Sequence, residues 1–395
     1  MEQTAGSFVL AATSGRRTRA EAMLVARPEI EHDPWAALTL GREWQGDPNE
    51  PGGPRGWAPL LYVCHSCFPS PALAAELLRR GADPNASFEN EYGSMSALYG
   101  AAGVAHDPEL TRLLLEAGAD PNDNESLYHA TESCSTACLE LLLAHGAETG
   151  GTNALAHALD DERPEHVRLL LEAGADPNEG ATVAHAVRRG RGPETIRLLA
   201  QHGADLDRPG GETWRGNVPL RTPYRHARLR ARDDVAAILA ELGAGTDVDP
   251  ADGAVESLAR GERPSTPLPA TLDVDQQEVI VLAVLAGHVD AVAEAVGPDF
   301  RGVVGGSPGG SLLQHAAWVG DAALVQRLLV LGAAPDGGLG WAAHGSRNHR
   351  APGRDYVAVA ELLVAAGTPL QPGLLDDAEG PLYAWLAARL GKPAA

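Results

Sequence analysis

Short apolar blocks punctuated by proline and glycine run along this chain. In one of them Pro164 and Glu165 open a stretch where Val167, Leu169, Leu170 and Leu171 recur at helical spacing, giving a short helix one apolar face. Just upstream, Leu155-Ala156-His157-Ala158 predicts a partner helix. Proline at the start and Gly174 just past the end follow the usual asymmetry of helix termini. Gly174 is expected in the left-handed conformation that closes a helix, and the Asp-Pro after it stops propagation. The unit reads helix, turn, helix, glycine.

The closing phrase recurs. Gly-Ala-Asp-Pro-Asn stands at 81–85, 118–122 and 174–178, each time after a leucine-rich stretch, and looser copies begin at Gly146, Gly203, Gly243, Gly332 and Gly367. A phrase repeated along most of a chain predicts a repeat solenoid, whose function is delivered by an extended surface more than by one pocket. From Gly118 to Gly203 the phrase returns after 28, 28 and 29 residues. The wide gap after Gly243 hides a degenerate unit, because 276–296 again reads as two short helices split at Gly287-His288.

These features resemble the ankyrin-repeat family. Its opening pattern, Thr-Pro-Leu-His-x-Ala, is matched with two substitutions by Thr222-Pro223-Tyr224-Arg225-His226-Ala227, and more weakly at Ala58-Pro59-Leu60-Leu61 and Ser311-Leu312-Leu313-Gln314. The resemblance spans roughly residues 8–390 and implies an all-α solenoid of paired antiparallel helices, roughly 9–11 repeats including caps. It also implies a non-catalytic scaffold that binds another protein along its concave helix face. The family period is about 33 residues, so units of 28 or 29 have lost about five. With both helices intact, the loss falls on the β-hairpin finger that joins repeats. Short turns and an exposed first-helix wall are expected near 118–203. Longer insertions occur at 33–56, 205–217 and 345–355. Three segments are expected: an N-terminal array, 1–245; a Gly/Pro-rich hinge or degenerate repeat, 246–275; and a C-terminal array, 276–395.

Charge narrows the partner. Acidic residues outnumber basic ones 53 to 31, a net charge of −22. General nucleic-acid binding needs a basic face, so none is expected. The longest apolar run, 279–286, is far below the roughly 20 residues that span a bilayer, and the N-terminus lacks a secretory pattern. A soluble, cytoplasmic protein without membrane association or cofactor is expected. Cys64, Cys67, Cys134 and Cys138 invite a zinc reading, but the two pairs belong to repeats too far apart for four thiolates to converge at about 2.3 Å from one ion. They read as small buried residues, and no metal site is expected.

Two patterns nominate site residues. A histidine follows the first-helix apolar position by two residues at His129, His157, His185, His226 and His315. It offers either a titratable stripe in the groove or a row of packing residues with satisfied ring nitrogens. The stretch 188–232 holds eleven arginines against four acids. Within it Arg221, Arg225, Arg228 and Arg232 fall at the spacing of one helix face, near Trp214 and Tyr224, a composition typical of interface hot spots. They would take an acidic partner, unless they neutralise the acidic repeats beside them. A second basic loop, 344–350, contributes Arg347 and Arg350. Two further readings stay open. One is a groove enzyme using histidine and carboxylate acid–base chemistry. The other is an acidic decoy for a basic nucleic-acid-binding protein.

Overall fold

In the computed structural model, residues 4–211, 220–304, 309–349 and 352–391 are described. The chain forms two compact units, 1–179 and 180–394. The first unit opens with helices Ala5–Ala12 and Arg17–Ala26, followed by Pro34–Thr39. Helix pairs then follow: Pro59–Cys64 with Pro71–Arg79, Ala97–Tyr99 (continued by a wide turn, Gly100–Val104) with Pro108–Glu116, Ser126–Ala130 with Ala137–Ala144, and Ala154–Ala158 with Pro164–Glu172. First helices pack on first helices and second on second, so Leu77, Leu98, Leu110, Leu114, Leu139 and Leu142 are buried in one continuous core.

The second unit repeats the plan. Its pairs are Thr182–Arg188 with Pro193–Gln201, Pro223–Leu229 with Asp233–Glu241, Val274–Leu285 with Val289–Val296, Leu312–Trp318 with Ala322–Val330, and Gly338–Asn348 with Tyr356–Ala365. Gly253–Ala259, entered through a 3-10 turn at Pro250–Asp252, lies within 246–275, and Gly380–Arg389 covers the last pair. The architecture is the all-α repeat solenoid that the phrase predicts.

The phrase itself has a division of labour. Gly81 sits at φ +91°, where a side chain would be strained. There the Gly81 amide donates to Leu78 and the Ala82 amide to Leu77, closing the helix with the paired bonds of a Schellman turn. The Asp83 carboxylate accepts from the Asn85 amide at 2.9 Å, bending the chain away from the helix axis. The Asn85 side chain then spans to the next copy. It donates to the Gly118 carbonyl at 3.1 Å and accepts from the Asp120 amide at 2.8 Å. Asn49 makes the same two bonds to Gly81 and Asp83, and Asn122 to Gly146 and Glu148. In the second unit Asp207 and Asp299 keep only the accepting half, toward the amides of Gly245 and Ala334.

Hairpin fingers form at Ser87–Asn90 with Gly93–Ser96 and at Arg301–Gly302 with Gly310–Ser311. Single bridges, Gly52 with Trp57 and Gly210 with Arg221, mark two more connectors. No strand or bridge forms between 118 and 203, where the repeats are short.

Candidate binding surface

The four arginines expected to line one helix face do not share one helix. Helix Pro223–Leu229 carries only Arg225 and Arg228. Arg221 lies before it in the bridge, and Arg232 caps the next helix. Arg221 is 2% exposed. Its guanidinium donates to Asp252 at 2.8 and 3.1 Å, to Asp273 at 2.7 and 3.3 Å, and to Asp275 at 3.1 Å. Burial opposes its charge, yet the bonds to Asp252 and Asp273 raise its pKa above the usual arginine value. Arg188 adds a bond to Asp275 at 3.1 Å, and Arg230 one to Glu278 at 2.6 Å. Arg225 pairs with Asp249, Arg228 with Glu256 and Arg232 with Asp234. Most of these carboxylates lie in 249–278, beyond the stretch in which the arginines were counted. Tyr224 is half-buried beside them. The second basic segment is helical through Asn348 and not a loop; Arg347 is half-buried on that helix. Trp214 and Arg350 lie outside the described residues.

The histidine ladder divides according to what its repeat contains. Counted four residues from the residue that opens each first helix, one position holds Tyr62, Gly100, His129, His157, His185, His226 and His315. Where a finger or bridge precedes the helix, the side chain here is tied inward. The Tyr62 hydroxyl donates to Gly52 at 2.7 Å, His226 Nε2 to Gly210 at 2.8 Å and His315 Nε2 to Gly302 at 3.1 Å. Each acceptor is a glycine because the finger presses on the preceding repeat. A Cβ on Gly210 would stand 2.8 Å from those of Ala181 and Ala184, and one on Gly302 would stand 2.8 Å from Val281. Burial pushes His226 and His315 below the ordinary histidine pKa, so both are neutral packing residues and not groove groups. At Gly100 the position is empty, and His65 of the repeat before fills it, with Nε2 donating to Ser96 at 2.8 Å. His65 does not stand in the ladder's register, so the recurrence of histidines misses it.

In the fingerless repeats that glycine carbonyl does not exist, and the side chains stay on the wall. His129 is flanked by Tyr99 at 5.0 Å and Tyr128 at 4.8 Å between ring centroids, and His157 lies tilted against Tyr128 at 3.8 Å. His129 Nδ1 lies 2.8 Å from Glu132 and Nε2 3.3 Å from Glu125, while Glu132 also reaches His157 at 3.6 Å. Burial opposes charge on both partners, but the His129–Glu132 contact outweighs it. The pKa of His129 therefore rises and that of Glu132 falls. His157, more deeply set, is lowered by burial. His185 is half-buried at the same position in the second unit. The wall is thus a strip of half-exposed rings edged by carboxylates.

Cys64 and Cys138 are buried as expected, whereas Cys134 is exposed and Cys67 half-buried; all four are free thiols. Among the described residues no group of three or more histidine, cysteine or acidic side chains is gathered to hold a metal ion. No helix among them is long and apolar enough to cross a membrane.

Residues 98–181, which include this wall, match the family model described as ankyrin repeats, three copies. This stretch is made of ankyrin repeats. Ankyrin repeats are generally protein–protein interaction modules and are typically non-enzymatic. Solved structures similar to this chain include the human ASB11 ankyrin repeat domain, at 22% identity over 60% of this chain and 96% of that one, TM-score 0.42. An ankyrin repeat domain from Acinetobacter baumannii AYE is 27% identical over 44% of this chain and 93% of its own, TM-score 0.38. The ankyrin repeat domain of Bcl-3, an IkappaB family member, is 24% identical over 59% and 97%, TM-score 0.37. Among curated proteins none matches.

Proposed function

We propose that the chain is a non-catalytic scaffold that holds another protein against the first-helix wall of residues 98–181, through Tyr99, Tyr128, His129, Glu132 and His157. The observation that carries this reading is the absence of fingers between 118 and 203, which leaves Tyr128, His129, Glu132 and His157 on the wall, with Tyr99 packed against His129. Tyrosines supply large contact area at low entropic cost, and aromatic rings are enriched at interface centres, with charged groups at the rim. Arg221, Arg225, Arg228 and Arg232 are already paired with carboxylates within the second unit, so they give no support to an acidic partner. Glu125 and Glu132 on the wall instead favour a partner with basic side chains.

The test is capture from a lysate of the native cell with the tagged full-length chain. The Tyr128→Ala, Glu132→Arg double variant should lose the partner that wild type retains, and Arg225→Glu should keep it. Retention by the wall variant, or loss with Arg225→Glu alone, overturns the assignment of the wall. Raised salt should weaken the wild-type complex, because exposed charge pairs are screened.

A further inference from the structure

A cavity of about 860 Å³ lies in the second unit against its last first-helices. Aromatic side chains dominate its lining: Trp318 and His315 from helix Leu312–Trp318, with Trp341 and His344 from helix Gly338–Asn348. The rings form one cluster. Trp318 meets Trp341 edge to face at 6.1 Å, His344 lies 5.0 Å from Trp318, and His315 lies 5.0 Å from Trp341. Leu285 adds an aliphatic wall. Among the described residues, the single carboxylate or guanidinium lining the cavity is Asp377, exposed on the short helix Leu374–Asp377.

The surrounding chain is shaped to hold these rings. A Cβ on Gly310 would stand 2.8 Å from two ring carbons of Trp341, so glycine there clears the space the indole occupies. A Cβ on Gly345 would collide with the Trp318 carbonyl, so glycine there lets the two first helices close on each other. The Tyr356 hydroxyl lies 3.0 Å from the carbonyl oxygens of both Trp318 and His349, linking the segments on either side. His315 is held by its bond to Gly302 and kept neutral by burial.

The chemistry of this lining selects a ligand class. A volume of this size falls in the range of about 300–1,000 Å³ occupied by small organic ligands. Indole faces carry negative electrostatic potential and attract cations, and Asp377 adds negative charge from one side. Carboxylates and phosphates would face the Asp377 carboxylate and find no arginine among the described lining residues. We propose that this cavity binds a small amphiphilic amine, with the apolar body against Trp318 and Trp341 and the protonated nitrogen toward Asp377. The site uses residues separate from the protein-binding wall, so either assignment stands without the other.

Isothermal titration of the full-length chain tests it with three probes that share one naphthyl body: 2-(2-naphthyl)ethylammonium, 2-(2-naphthyl)ethanol and 2-naphthylacetate. The amine should bind about tenfold more tightly than the alcohol, with the acetate weakest. Asp377→Asn is exposed and compatible with folding. It should weaken the amine about tenfold and leave the alcohol unchanged, while Trp341→Leu should weaken both. Equal affinity for amine and alcohol overturns the proposal. So does wild-type amine binding by Asp377→Asn, or no amine binding at about 1 mM.

Discussion

Arg221→Met removes a cation from a place that water does not reach, and its cost follows from what stays behind. Arg221 joins three carboxylates. Asp275 would keep Arg188 at 3.1 Å and Arg230 at 4.0 Å. Asp252 would keep Gln276 at 3.0 Å and Arg225 at 3.5 Å, and Asp273, with a side chain 19% exposed, would turn partly to solvent. Leaving a buried charge without its partner costs about 3–5 kcal/mol. These residual contacts place the variant near the lower end, about 3 kcal/mol. In a unit of this size each kcal/mol lowers the midpoint by about 2–4 °C, so the transition should fall by about 6–12 °C in scanning calorimetry. Adding Asp252→Asn should restore part of the loss, because removing both partners is less costly than orphaning one. A single variant that melts within about 1 °C of wild type, or a double variant whose losses simply add, would refute the claim that this cluster secures the second unit.

Other expectations follow from the first unit and the aromatic cavity. His65 is buried, and burial lowers its pKa to about 4. Below about pH 6.5 the unfolded chain takes up a proton that the folded chain refuses, so stability falls between about pH 6.5 and 4, by up to about 3 kcal/mol. Chemical denaturation across that window should show the loss, and His65→Gln should remove this component of it. Asn85→Ala deletes two bonds between successive closing phrases and should cost about 1–2 kcal/mol; Asn85→Asp, which keeps the accepting half, should cost less by the same denaturation measurement. Gly345→Ala forces a methyl group against a backbone oxygen, and the second unit should lose about 3 kcal/mol in thermal unfolding.

The repeat plan was legible because its signals are local. Gly174 and its relatives need a left-handed residue, Pro164 and Pro193 open helices, and leucines mark the buried face. The lost fingers were legible too, since a missing segment shortens the spacing of a repeated phrase. The fate of the arginines was not legible, because Asp252, Asp273 and Asp275 lie 31 to 54 residues beyond Arg221 and a window ending at 232 counts none of them. The two readings of the histidines stayed undivided for a related reason. One register position serves two purposes, and the choice depends on whether a glycine such as Gly210 or Gly302 arrives from a finger. His65 escaped because it fills the gap at Gly100 from the neighbouring repeat, a substitution in space that one-dimensional spacing does not record.

The asparagine links from Asn49 through Asn85 to Asn122 carry a consequence for the history of such a chain. Each rung offers the same donor and acceptor to the next and asks nothing of the helices between them. Cutting or duplicating the gene from one closing phrase to the next therefore leaves every remaining rung with a matching neighbour. Between rungs, solvent-facing positions are free to drift. The ladder is in that sense a coupling standard: it lets the array change length and alter its wall while the join between units stays the same.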